Sequence, residues 1–178
     1  MKTKVINFYG GPGSGKSTQA AGLFYYMKAK GFSVELVNEF AKEVVWEGNV
    51  PMLKDQLWVL AHQHRRLVRL AGKVEYIITD SPVLLSIAYR SLYDGPMYSD
   101  LIDQLAWECY NMYENTNIFL NRHVVYDYQD VGRAQDYEQS KRIDESILEI
   151  FNQYNIEYSR MPVTEQTVPY VLSLFKKS

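Results

Sequence analysis

Residues 4–21, KVINFYGGPGSGKSTQAA, set Gly10, Gly11, Gly13 and Gly15 between a mostly apolar run and a run of helix formers. Lys4–Tyr9 has the β-branched and aromatic content of a strand buried on both faces. Ser17–Lys30 is expected to be a helix, and Gly31 stands where a helix places its C′ residue. Glycine loses more backbone freedom on folding than any other residue. Hydrophobic burial gives no reason to gather glycines at the junction of a strand and a helix, so a ligand that approaches the backbone is expected there.

Gly10, Gly15, Lys16 and Ser17 fit the spacing G-x-x-x-x-G-K-[ST] of a phosphate-binding loop, in the strand–loop–helix setting that loop requires. Glycines let successive N–H groups turn into one concavity, and the following helix adds the positive end of its dipole. Gly10, Gly11, Pro12, Gly13, Ser14, Gly15, Lys16, Ser17 and Thr18 are therefore the expected binding residues for a nucleoside triphosphate, with ATP the expected nucleotide. Lys16 can reach the β- and γ-phosphates, the Ser17 hydroxyl can bind Mg²⁺, and Thr18 in similar loops lies near the α-phosphate. A plain glycine-rich turn would not explain the flanking strand and helix.

The loop binds a phosphate chain without saying where the phosphate goes. Three further segments bear on that. YIITD is an apolar strand ending in Asp80; at the C-terminal edge of a parallel sheet this carboxylate could hold Mg²⁺ directly or through water. The competing role, capping the helix that begins near Pro82, could fall to Ser81. VELVNEF puts Glu39 just past the second strand on the same edge, where it could orient or deprotonate an attacking hydroxyl; a solvated first-turn glutamate fits the sequence equally. The segment from Arg122 to Arg142 holds Arg122, Arg133, Lys141 and Arg142 after the fourth strand. Arg133 and then Arg122 are the expected partners for charge that develops in phosphoryl transfer. Arg142 could instead pair with Glu138 or Glu145.

Outward from the loop, strand and helix signals alternate, which argues for an α/β fold with a mainly parallel sheet. Strands are expected at Ser33–Val37, Glu75–Thr79, Asn117–Asn121 and Glu157–Met161. Helices are expected at Glu39–Glu47, Asp55–Ala71, Ser99–Tyr113, around Ile143–Tyr154 and at Val168–Lys176. The strand at Glu75–Thr79 leads into a further helix near Pro82. Asp55–Ala71 carries a 3.6-period stripe of Leu57, Leu60, Ala61, His64, Leu67, Val68 and Ala71. Gln56 and Gln63 lie on one edge of that stripe and could face a cleft, where a carboxamide can read a base. His62, Arg65 and Arg69 fall on a solvent face, and His64 is expected in the core with a hydrogen bond.

With 178 residues, 47% hydrophobic and 22% charged, the chain is expected to form one soluble domain over residues 1–178. A net charge of −2 disfavours an extended nucleic-acid groove. The 15 tyrosines fit half-buried core positions first, and leave a homodimer open. Cys109, the one cysteine, sits on the apolar side of a helical pattern and is expected to be a buried, inert thiol. No apolar run approaches the ~20 residues a membrane span needs, and the N-terminus reaches the loop with no room for a secretory signal. A cytoplasmic setting is expected.

Together these motifs resemble the small P-loop nucleoside and nucleotide kinases over most of the chain. The resemblance is closest to NadR-like ribosylnicotinamide kinases and their phage relatives. NEFAKE is similar to that group's Glu-x-Ala-Arg-Glu segment, with Lys42 in the arginine position. TDSP is similar to its third-strand motif, and DVGRAQDYEQSKRIDESI to its arginine-bearing lid and following helix. The resemblance implies a three-layer P-loop kinase fold: a mainly parallel five-stranded sheet, helices on both faces, and a lid over about 122–136. It implies ATP and Mg²⁺ as cofactors and a small nucleoside-like acceptor. Deoxynucleoside kinases are a more distant likeness; there DQLWVLAHQHRRL resembles the base-binding helix, making Gln63 a base contact and Glu39 the catalytic base. Those enzymes carry Glu-Arg-Ser where this chain has Asp80-Ser81-Pro82.

The activity expected is transfer of the γ-phosphoryl group of ATP to a nucleoside or nucleotide-like acceptor. Two alternatives stand beside it. A nucleotide-driven switch would carry an Asn/Thr-Lys-x-Asp guanine motif or a D-x-x-G segment, and the sequence has neither. A kinase acting on a modified base or an end in DNA is kept open by the phage relatives and disfavoured by the charge.

Overall fold

A computed structural model describes residues 2–90, 92, 99–121 and 135–175. Strands β1 (Lys4–Tyr9), β2 (Val34–Val37), β3 (Tyr76–Thr79), β4 (Glu114–Asn121) and β5 (Ser159–Pro162) form one sheet in the order β2-β3-β1-β4-β5. Every pairing is parallel. The expected α/β fold is therefore observed, and all strands deliver their C-terminal ends to one edge.

The period of two along β1 builds both cores. Val5 and Tyr9 face one layer, and Ile6 and Phe8 the other. Helices α1 (Lys16–Ala29) and α7 (Thr167–Ser173) cover the second face, packing Ala20, Leu23, Met27, Val168 and Val171 on Ile6, Phe8 and Ile78. The first face takes α3 (Gln56–Val68), α4 (Leu85–Arg90), α5 (Ser99–Asn111) and α6 (Tyr137–Gln153). A short helix α2 (Phe40–Trp46) and a 3₁₀ turn at Val50–Lys54 close a satellite core of Phe40, Val44 and Leu53. Burying both faces of each strand explains why β1 and β3 are mostly apolar rather than alternating in polarity.

Local chemistry sets the helix ends. Gly31, at φ 77°, lets the chain leave α1: its N–H donates to Lys28 O and the Phe32 N–H to Met27 O. Asp55 caps α3 by accepting from the Trp58 N–H at 3.0 Å. Asp136 and Gln139 form a reciprocal capping box at the start of α6.

Three expectations change. The buried stripe of α3 is Gln56, Leu60, Gln63 and Leu67, while Leu57 and Ala61 are exposed. The helix turns its two glutamines inward because each amide finds a backbone partner there, which apolar counting cannot foresee. On α5, Ile102, Ala106 and Cys109 are buried as expected, but Leu105 is exposed. Finally, α4 begins at Leu85 rather than near Pro82, after a tight turn in which Leu85 N–H donates to Pro82 O and Ser86 N–H to Val83 O. Ser81 is thus too far upstream to cap it, and its own N–H goes to Thr79 Oγ1 at 3.1 Å.

Candidate functional site

β1 is flanked by β3 on one side and β4 on the other, so the connections out of β1 and β3 run in opposite directions along the sheet. A crevice opens at such a reversal, beyond the carboxyl ends of the strands. The glycine loop fills this point between β1 and α1. Gly10 has φ 141°, and a Cβ there would lie 2.5 Å from Ser14 Oγ and 3.2 Å from Leu120 O. Gly15, at φ 86°, would bring a Cβ to 3.1 Å from Val163 Cγ1. Both positions combine a left-handed backbone with a lack of space, so glycine is required rather than preferred.

The loop ends in a helix start suited to an anion. No side chain caps α1, and its first turn holds no acidic residue. An uncapped helix start without acidic residues presents the positive end of its dipole to whatever binds there. Lys16 is 7% exposed, and its Nζ donates to Gly11 O at 3.1 Å. Holding an ammonium on a loop carbonyl keeps it within the concavity while satisfying part of its hydrogen-bonding capacity. Beneath the loop, the fully buried Tyr9 ring meets Phe151 edge-on at 4.8 Å, and burial pushes its hydroxyl well above the usual tyrosine range.

Asp80 follows β3 at the same edge. It is 3% exposed, and its Oδ1 has no hydrogen-bond partner among the described residues. A buried carboxylate oxygen left in this way suits a cation. No cluster of three or more His, Cys, Asp or Glu able to hold a metal occurs among the described residues. Mg²⁺ on a phosphate chain keeps waters and takes only one or two protein ligands. Ser17 and Asp80 are the residues that could hold it.

One cavity of about 280 Å³ opens beside the loop, lined by Ser81 and Pro82 but not by Asp80 itself. Pro12, Gly13, Gly15, Lys16, Ser17 and Thr18 line it from the loop. Glu39 and Lys42, and side chains of α2, α3 and α4 also line it. Glu39 is half-buried at the N-cap of α2 without a side-chain cap bond, and it lines the cavity together with Lys16 and Ser17.

The two glutamines separate in role. Gln63, 3% exposed, accepts the Phe40 N–H at 3.0 Å, and its Nε2 lies 3.4 Å from Asn38 O and 3.5 Å from Thr79 Oγ1. Its carboxamide pins the backbone beside Glu39. Gln56, 6% exposed, donates from Nε2 to Leu53 O at 2.7 Å. His64 does not line the cavity; it is half-buried, its Nδ1 has no partner among the described residues, and burial lowers its pKa. The hydrogen bond expected for His64 is therefore not made at Nδ1 by any described residue. His62, placed on a solvent face by the sequence, is exposed but stacks on Phe40 at 4.2 Å.

Two residues of this site were not foreseen. Asp144 Oδ1 accepts the Gly11 N–H at 2.5 Å, and Ser140 Oγ donates to Pro12 O at 2.5 Å. Both lie one helical turn apart on α6, so one helix holds the loop's tip at two backbone atoms. Their only sequence signal is a pair of small polar residues bordering the Ile143–Ile147 stripe. Of the later cations, Lys141 pairs with Glu138 at 2.9 Å, and Arg142 is exposed. Arg122, Arg133 and most of the expected lid over 122–136 lie outside the described residues. Cys109 is buried, and burial raises its thiol pKa. No helix among the described residues is long and apolar enough to cross a membrane.

Comparison with solved structures finds the same architecture in thymidylate kinase from Ehrlichia chaffeensis. The TM-score is 0.65 over 98% of this chain and 96% of that one, at 19% sequence identity. That likeness speaks for the fold. No curated protein matches the sequence. The profile of the AAA-domain family does match, over residues 5–167, and with its phosphate loop inside that span the chain belongs to this family of P-loop NTPases.

Proposed function

We propose that the protein is an ATP-dependent phosphotransferase that moves a γ-phosphoryl group to a hydroxyl or phosphate oxygen of a nucleoside or nucleotide-like acceptor. One observation carries the reading. A single cavity is lined by Lys16, Ser17 and Thr18 of the loop and also by Glu39 and a mixed apolar and carboxamide wall. A switch or motor needs the first set only; a kinase needs both around one space.

The loop amides and Lys16 hold the β- and γ-phosphates, and Thr18 lies on the α-phosphate side. Ser17 and Asp80 hold Mg²⁺, which when bound supplies positive charge to the phosphate oxygens. Glu39 orients the acceptor hydroxyl and takes its proton as the new P–O bond forms and the bridging bond to the leaving diphosphate breaks. Lys16 stays on the transferring group, where charge spreads over its equatorial oxygens. Arg133 and Arg122 keep the role the kinase resemblance implies, neutralising that charge. Alignment of two substrates in one cavity supplies most of the catalysis. Ribosylnicotinamide, from the sequence resemblance, and thymidine monophosphate, from the structural neighbour, are the first acceptors to try.

The test is a screen of nucleosides, nucleoside monophosphates and ribosylnicotinamide with ATP and Mg²⁺, read by ADP release and product mass. A product heavier by one phosphoryl group supports the reading. ADP release that no acceptor stimulates, with no phosphorylated product, refutes it in favour of a hydrolase or switch.

A further inference from the structure

We infer that Gln56 selects the molecule bound in the cavity, which takes a ring presenting an N–H donor to Gln56 Oε1. Only in calling that ring the acceptor does this rest on the phosphotransferase reading.

The orientation of the carboxamide follows from its partner. Leu53 O can only accept, so the amide end 2.7 Å away is Nε2, and the other end is the carbonyl. Gln56 Oε1 is shielded from water and has no hydrogen-bond partner among the described residues. The residue is 6% exposed and lines the cavity. A buried carbonyl without a donor costs free energy, and native structures leave few of them without a reason. A ligand N–H removes that cost; a ligand acceptor at the same place would increase it. The requirement is thus for a donor.

Gln63 cannot take this role in the same way, because its Oε1 is already held by the Phe40 N–H. The base-contact role that the deoxynucleoside kinase resemblance assigns to Gln63 therefore passes to the glutamine two helical turns earlier. The same cavity is lined by the apolar Val45, Val59, Leu85 and Tyr89 and by the polar Lys42, Gln63 and Ser86. The apolar side chains accept a ring face by burial and dispersion, and the Gln56 carbonyl is a polar group left to fix its orientation.

The experiment is a double-mutant cycle on binding with amine-deleted probes. Adenosine is compared with purine riboside and cytidine with 2-pyrimidinone riboside, on wild type and on Gln56→Met, by calorimetry. Thymidine, whose ring N–H cannot simply be deleted, is compared between the two proteins. In wild type the amine-bearing member of at least one pair binds roughly tenfold tighter, or thymidine binds, as one buried hydrogen bond predicts. In Gln56→Met that preference, or thymidine affinity, falls to near nothing. Should Gln56→Met fail to fold, Gln56→Glu carries the cycle, because it keeps an acceptor and so keeps the preference. The inference is overturned if no probe binds, if wild type shows neither preference nor thymidine binding, or if the preference survives in Gln56→Met. Magnesium–ATP binding is measured on the same samples. Its absence beside a Gln56-dependent preference removes the phosphotransferase reading and leaves this one standing.

Discussion

Lys16 Nζ sits 3.1 Å from Gly11 O, and the Gly11 N–H in turn is held by Asp144, so the residue expected to touch phosphate rests on a loop braced from behind. Lys16→Ala should lower turnover by roughly 10²–10³ or more, the usual effect of removing one charge-stabilising donor, with circular dichroism and melting temperature little changed. Retained turnover would dismiss the site. Glu39→Gln should slow transfer while leaving ATP affinity as it was, measured as kcat against the KM for ATP. Asp144 tests the brace. Asp144→Ala leaves the Gly11 N–H without its acceptor and should raise the KM for ATP about 5–30-fold, the equivalent of one or two kcal/mol. Asp144→Asn keeps an oxygen acceptor and should recover much of that loss; equal effects of both substitutions would mean that the charge, and not the hydrogen bond, matters.

At the scale of elements, α6 does two jobs with one face. Ile143, Ile147 and Ile150 bury it on the sheet, and Ser140 and Asp144 reach the loop tip. Its start is defined by the Asp136–Gln139 capping box. Asp136→Ala should cost about 1 kcal/mol of stability, read in a urea titration. If the midpoint does not move, the cap contributes nothing. The same element shows how far sequence reading extends. The apolar period of α6 was legible because isoleucine at 3.6-residue spacing has one explanation. Ser140 and Asp144 were not, because a small polar residue at the rim of a stripe looks alike whether it meets solvent or a loop 133 positions away in the chain. On α3 the period itself misled. Leu57 is exposed and Gln63 buried, since the partners that satisfy Gln63 come from α2, β3 and Asn38 just past β2.

For the whole molecule, stability against acid provides a check on the packing. His64 is half-buried on α3, and burial lowers its pKa from the ordinary 6.5. Its folded value thus lies below its unfolded one, and the unfolded chain takes up the proton first as pH falls. The stability owed to neutral His64 is complete above the unfolded value and is lost as pH drops through the folded value. Melting temperature should therefore fall as pH drops below the ordinary histidine value, and His64→Leu should flatten that decline relative to wild type. Parallel curves for the two proteins would mean that other groups govern acid unfolding.

The phosphate loop, the α/β class, the parallel sheet and the positions of its strands were determined by the sequence alone. Each depends on local properties: glycine's access to left-handed backbone, the apolar content of doubly buried strands, and the period of a helix. Tertiary structure alone decided which side chains meet. It placed Glu39 in the same cavity as Lys16, committed Gln63 to the backbone while leaving Gln56 Oε1 without a partner, and brought Asp144 to Gly11. The reason is that spacing along a chain dictates which face of an element a residue occupies, whereas what lies opposite that face depends on the order of strands in the sheet and on the crossing of helices over it.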